Sequence, residues 1–290
     1  CLLCVVAMYS AGGWLLHPSG LKDESSKRGY DTSLIVHPLY PYGQLQFVMQ
    51  EKQYDRFQEV HVPGLPVPLV FLQDQSWRGG RTDDTTGGVV WPASIFLAAY
   101  ILTLQPSRRD SRKALELGSG VGPIPSLAAA WMGYETVATD RASVVSKAAR
   151  NTAANLKRLG LHPNCVRCTA LDWGNIAPKI GGEEQYEILL GADVIYARVG
   201  DTDEEIFSVH NSLAKRISIS LSRTVNAKAI LSWKTRRRGL EERFLNQILP
   251  RYSLSYESID LRQLNLPLEG RLLEFQMSGL GRLILISHNL

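Results

Sequence analysis

From Val89 to the C-terminus the chain alternates short apolar runs with longer stretches of helical periodicity, and this alternation limits the fold more than any other feature. Residues 113–117 (KALEL), 135–140 (ETVATD), 164–173 (NCVRCTALDW), 186–197 (YEILLGADVIYA) and 227–233 (AKAILSW) read as strands. Residues 92–104 read as a buried helix opened by Pro92. Further helices are expected through PSLAAAWMG to Gly133, over 143–160, around EEIFSVHNSLAKRI and over LEERFLNQILPRY. SLSYESI and RLILISH close the chain as two strands joined by a non-helical link, expected to add an antiparallel strand at one edge. Strands alternating with helices form a sheet covered on both faces. The expected fold is therefore α/β, a doubly wound, mostly parallel, seven-strand Rossmann-like sheet with an antiparallel edge strand.

Residues 1–85 read differently. YGQLQFVMQ and FQEVHVPGLPVPLVFLQDQ are rich in β-branched and aromatic residues, and Gly64, Pro66 and Pro68 interrupt the second, which suits edge strands or a hairpin. A polar loop at 78–88 (RGGRTDDTTGG) marks the boundary. The division expected is a β-rich or irregular N-terminal extension over 1–85 and the α/β domain over 86–290.

Composition excludes several classes. With 44% hydrophobic residues the chain can bury a large core, and a formal charge of +4 is too weak for a nucleic-acid partner without a local basic patch. KTRRR at 234–238 is such a patch, read as a solvated loop after a strand. Four cysteines make two C-x-x-C pairs, Cys1 with Cys4 and Cys165 with Cys168, a spacing that zinc sites use. The second pair falls on the expected strand, where positions three apart face opposite sides, and no metal site is expected. The cysteine content suits a reducing compartment. The chain opens on Cys1, and the apolar run at 2–8 is about a third of the ~20 residues a span requires and lacks a basic leader. The expectation is a cytoplasmic, also nuclear, monomer, with a signal remnant as the alternative.

The chemistry is carried by LELGSGVG at 115–122, where the first strand of the alternating region stops. In open α/β sheets ligands bind beyond the carboxyl ends of the strands, and glycines there permit a tight turn and close approach to the backbone. Amides at the start of the following helix are expected to be free for a negative group such as a carboxylate. A dinucleotide site requires G-x-G-x-x-G, whereas Gly118, Gly120 and Gly122 are followed by Pro123, which points to a nucleoside without a pyrophosphate. Asp140 ends the next strand 22 residues after Gly118, close to the ~20 expected of a carboxylate that holds ribose hydroxyls.

GGVVWPASIFLAAYIL, LELGSGVG, ATDR, the asparagines of NTAAN, LDW and ADVIYA occur in the order found in the seven-strand (class I) S-adenosylmethionine-dependent methyltransferases. The chain most resembles their methyltransferase-like protein-lysine methyltransferase branch, from about Gly87 to the C-terminus. The resemblance implies S-adenosylmethionine as cofactor. Glu116, Gly118, Ser119 and Gly120 would line its methionine part, Asp140 would hold the ribose, and Trp173 and Asp172 would meet the adenine. Trp91 would approach from the N-terminal side, and Ala192 would precede the catalytic edge. It further implies a lysine-bearing protein substrate of the chaperone or translation-factor class. In ADVIY, Asp193 would orient the lysine amine and Tyr196 would pack on its alkyl chain and face its charge. A helix-capping Asp193, a core Tyr196 and a core Trp91 are the plain alternatives. ADVIY lacks the two prolines usual where this fold methylates bases, which disfavours nucleic acid. Arginine methylation and a non-catalytic module that keeps the cofactor pocket remain as other readings.

Overall fold

The computed structural model describes residues 57–73, 86–104, 112–174, 185–197, 200–236 and 238–289, all within one compact unit spanning Gln46–Leu290. The expected strand in YGQLQFVMQ and most of the 78–88 loop lie outside the described residues.

Seven strands form the sheet: β3 (Lys113–Leu117), β4 (Glu135–Asp140), β5 (Val166–Ala170), β6 (Ile188–Ala192), β7 (Lys228–Lys234), β8 (Leu254–Ser258) and β9 (Gly281–His288). Their order is β5-β4-β3-β6-β7-β9-β8. The pairs β5–β4, β4–β3, β3–β6 and β6–β7 are parallel, while β9 runs antiparallel to both β7 and β8. The antiparallel strand is thus β9, second from the edge, and β8 lies outside it. Strand order reverses between β3 and β6, the switch point at which such sheets bind ligands.

Successive strand residues face two separate cores. Ala114, Ile188, Ile230 and Leu283 point to the side carrying α1 (Pro92–Ile101), α2 (Ile124–Trp131) and α3 (Ala142–Leu159). Their neighbours Leu115, Leu189, Leu231 and Ile284 point to the side carrying α4 (Asp203–Ser220) and α5 (Arg238–Arg243). Strands buried on both faces need apolar residues at nearly every position, as ILLGA supplies, whereas KALEL keeps one buried carboxyl, Glu116. Helix α1 is buried at every position from Ala93 to Ile101, so its all-round apolar sequence suits a core helix. Helix α4 starts in a capping box, Thr202 with Glu205, and α3 stops at Gly160 in the left-handed region. Among the described residues no helix is long and apolar enough to cross a membrane.

Four local expectations change. The strand expected over 186–197 ends at Ala192, because Asp193 turns the backbone to φ 53°. Cys165 ends a 3-10 turn rather than lying on β5, while Cys168 is on the strand. The helix after β7 is α5 followed by a π-turn (Phe244–Ile248) and a 3-10 turn around Pro250, which cannot continue an α-helix. The link between β8 and β9 is not helix-free: it holds a 3-10 turn at Leu261–Gln263 and α6 (Gly270–Met277). There Phe275 is buried against Phe96 of α1, and Gln276 donates to the carbonyls of Leu261 and Leu264.

Strands β1 (Phe57–Val60) and β2 (Leu69–Leu72) form the expected hairpin, and α3 holds it through two amide side chains. Asn155 accepts from the Val70 amide and donates to the Val70 carbonyl, and Asn151 does the same at Leu72. Each side-chain amide thus replaces the peptide of a neighbouring strand along β2. Asn151 also donates to the Val121 carbonyl at 2.7 Å, which ties hairpin and helix to the glycine loop.

Candidate functional site

Beyond Leu117 the chain must pass between β4 and two neighbouring loops, and the three glycines are what fit. Gly118 (φ 72°) and Gly120 (φ 59°) adopt the left-handed conformation. A Cβ on Gly118 would lie 2.9 Å from Val194 Cγ1 and 3.2 Å from the Trp173 ring, and one on Gly120 would lie 3.0 Å from the Gly87 carbonyl oxygen. At Gly122 a Cβ would fall 2.7 Å from Val90 Cγ2.

The expectation of free amides is corrected. Gly118 and Ser119 N–H both donate to the Thr139 carbonyl, Gly120 N–H to Asp140 Oδ2, and Val121 N–H to the Gly87 carbonyl. In the first turn of α2, Pro125 has no N–H and the Ser126 amide donates to Glu116. A loop whose amides are committed internally offers no cradle to a pyrophosphate. The structure therefore agrees with the glycine spacing in turning away from dinucleotides.

Asp140 stands at the end of β4 with Oδ2 on Gly120 N–H and Oδ1 on Arg141 N–H, each at 2.7 Å. Burial pushes its carboxyl pKa up, opposed by those two amides and the Arg141 charge. Each oxygen keeps a further acceptor position, as two hydroxyls of a diol require. Glu116 lies beneath the loop rather than on its surface: it is 1% exposed and bonded to the Ser126 amide and hydroxyl. Burial lifts its pKa to about 8, so the carboxyl is mostly protonated at neutral pH. Ser119 is buried in the loop.

The aromatic candidates flank this turn. Trp173, half-buried, follows β5 and packs against Gly118, as an adenine wall requires. Asp172 is exposed, and its Oδ1 accepts from Gly174 N–H in a local turn. Trp91 is the N-cap residue of α1, and its indole N–H donates to the Thr86 carbonyl at 3.0 Å in the turn that abuts the glycine loop. Asp140 oxygens with an acceptor position each to spare, a turn without an anion nest and an adjacent indole fit an adenosine-type ligand.

Ala192 ends β6, and Asp193 follows it on the same sheet edge. Asp193 N–H donates to the Ser232 carbonyl, and Asp193 Oδ1 accepts from Lys234 N–H at 3.1 Å. Arg236 grips the same carboxylate with both terminal nitrogens, Nη1 to Oδ1 at 3.0 Å and Nη2 to Oδ2 at 3.3 Å. Its guanidinium carbon also lies 5.4 Å from the centre of the Trp91 ring. Tyr196 is half-buried, and His210 Nε2 meets its carbonyl at 3.1 Å. A carbonyl only accepts, so Nε2 carries the proton, and burial pushes the His210 pKa down, which keeps the ring neutral.

The structure thus joins Gly118 to Trp173, Gly120 to Asp140, and Asp193 through Arg236 to Trp91. Arg236 and His210 are the residues that sequence reasoning passed over. KTRRR read as a solvated loop, and its only usable signal is its place after β7, beside β6 on the same edge. Among the described residues no cluster of three His, Cys, Asp or Glu side chains is placed to hold a metal. A depression lined by Ala130, Tyr134, His162 and Cys165 lies at the opposite ends of β4 and β5 and has no share in this site.

A family model described as lysine methyltransferase matches residues 79–250, more than half of the chain. Over 148 residues the chain is 32% identical to Protein N-lysine methyltransferase METTL21A of Mus musculus, covering 51% of this chain and 62% of that protein. Over 110 residues it is 30% identical to Histone-arginine methyltransferase METTL23 of Xenopus laevis, covering 38% and 45% respectively. The chain therefore spans less than two thirds of either relative. A solved S-adenosylmethionine-dependent methyltransferase from Agrobacterium tumefaciens is 16% identical, with 85% of this chain and 74% of that chain covered and a TM-score of 0.49.

Proposed function

From the premise that this chain belongs to the lysine methyltransferase family, we propose that it methylates the side-chain amine of lysine in a protein substrate, using S-adenosylmethionine. The observation that carries the reading is the sheet edge itself. The glycine turn with Asp140 and the Asp193 corner follow β3, β4 and β6, three adjacent strands that flank the switch point.

When bound, the cofactor would supply an electrophilic methyl group on a sulfonium for the lone pair of the lysine nitrogen to take up, its sulfur leaving as a neutral thioether. In this reading Asp140 holds the ribose diol, Trp173 lies by the adenine, and Gly118 to Gly120 form the turn beside the methionine part. Asp193 accepts three hydrogen bonds, and a carboxylate offers about four acceptor positions, so Oδ2 retains one for the amine. With its charge already matched by Arg236, Asp193 orients the amine rather than taking its proton. The proton passes to water as the amine enters a less polar channel. Tyr196 packs along the alkyl chain of the incoming lysine.

The substrate class is a protein, with a soluble chaperone or translation factor as the chemical type, acted on by a monomer in the cytoplasm or nucleus, compartments that suit the unpaired thiols of Cys165 and Cys168. Two variants separate the halves of the site. Asp140→Ala is expected to weaken cofactor binding at least ~100-fold, the scale of losing charge-assisted hydrogen bonds to a diol. Asp193→Ala is expected to bind cofactor like the wild type and to transfer methyl groups at least ~10-fold more slowly. Wild-type transfer by Asp193→Ala, or unchanged binding by Asp140→Ala, contradicts the assignment.

A further inference from the structure

The segment after β7 is held more firmly than a solvated basic loop has reason to be. Three successive backbone amides are each tied to a different element: Lys234 N–H donates to Asp193 at the end of β6, Thr235 N–H to the Leu280 carbonyl before β9, and Arg236 N–H to Glu241 of α5. Glu241 is 5% exposed, so the last of these anchors is inside the protein. A backbone fixed in this way aims the Arg236 side chain before any ligand arrives. It reaches two partners on opposite sides of the site, the Asp193 carboxylate through a two-pronged contact and the Trp91 ring face.

Asp193 is a non-glycine residue in the left-handed region, a conformation that persists only where its surroundings enforce it. Its side chain is 7% exposed against 46% for that of Arg236, so the guanidinium is the outer partner of the pair. Trp91 belongs to the other wall, bonded to the turn that abuts the glycine loop.

We propose that Arg236 is a positioning residue for methyl transfer, bracing the acceptor corner at Asp193 against the cofactor wall at Trp91. The proposal rests on the function given above. The planar fork of arginine meets a carboxylate with two parallel bonds and an indole with its flat face, whereas lysine supplies only a point charge. An acceptor held slightly out of line loses rate far more than affinity.

The test uses the full chain, three variants, R236Q, R236K and D193N, and as acceptor the protein that the wild type labels in a cell lysate, purified in its unmethylated form. R236Q is expected to lower kcat about 10- to 100-fold while cofactor Kd and substrate KM stay within about 3-fold. R236K is expected to recover only part of the loss. R236Q in the D193N background is expected to be no slower than D193N alone, because the two residues act as a unit. A second readout needs neither cofactor nor substrate: in the cofactor-free protein R236Q and D193N each lower Tm, and together they lower it no further than the larger single effect. Wild-type kcat in R236Q, full rescue by R236K, or additive Tm losses overturn the proposal. If the wild type is active and R236Q matches it, Arg236 alone is misassigned; if the wild type transfers no methyl group, the proposed function itself fails.

Discussion

Glu116 shows how one residue beneath the site shapes the behaviour of the whole chain. Its carboxyl titrates at about 8 in the folded protein, against an ordinary value of 4.5, and burial is the main cause. Between those two values the folded state binds a proton that the unfolded chain has released. Stability therefore falls as pH rises from about 4.5 to about 8 and is level beyond. Glu116→Gln keeps the shape and an acceptor for Ser126 without the ionisation. In thermal melts of the cofactor-free protein the variant is expected to match the wild type near pH 5 and to melt several degrees higher at pH 9. A difference in Tm that does not change with pH would rule this account out. Gly120 is a second single-residue test. Gly120→Ala places a Cβ 3.0 Å from the Gly87 carbonyl in a left-handed conformation, so a stability loss of about 1–2 kcal/mol in denaturant titration is expected, together with weaker cofactor binding.

Between the β1–β2 hairpin and α3, two asparagines do what a neighbouring strand would do. Removing either strands an amide and a carbonyl of β2, a loss of about 1–3 kcal/mol by chemical denaturation. The two differ in reach. Asn151 also holds the Val121 carbonyl beside the glycine turn, while the Asn155 amide bonds the Asn151 carbonyl within α3. Asn151→Ala is therefore expected to weaken cofactor binding severalfold, and Asn155→Ala to leave it unchanged at comparable cost in stability. Equal effects on binding would show that the hairpin, rather than this one hydrogen bond, supports the turn. The elements themselves were legible to different degrees. The strands at 113–117 and 135–140 end where the sequence says they do, the first stopped by Gly118 and the second followed by a helix with its own periodicity. Helix α6 was not legible. Its stretch follows Pro267 and opens on Gly270, both poor helix formers, and the contacts that make it helical, Phe275 on Phe96 and Gln276 on the 261–264 turn, come from elsewhere in the chain.

At the scale of the whole molecule, a two-faced sheet brings together residues that the sequence separates widely. That the glycine turn, Asp140 and Asp193 share one edge could be read in advance, because each ends or directly follows a strand and the ends of parallel strands lie together. Arg236 could not, because nothing in KTRRR distinguishes one arginine from the next until β7 is placed beside β6 and the loop is pinned at three amides. The committed loop amides were equally hidden, since spacing reveals where glycines fall and not what their N–H groups face. If this edge moves a methyl group to lysine, as proposed, the modified amino acid itself reports it. The full chain is incubated with methyl-labelled S-adenosylmethionine and a nuclease-treated cell lysate, and the labelled protein is hydrolysed for amino-acid analysis. The label is expected in methylated lysine, and to be lost with Asp140→Ala. Label in methylated arginine, or no label with the wild type, would contradict the account.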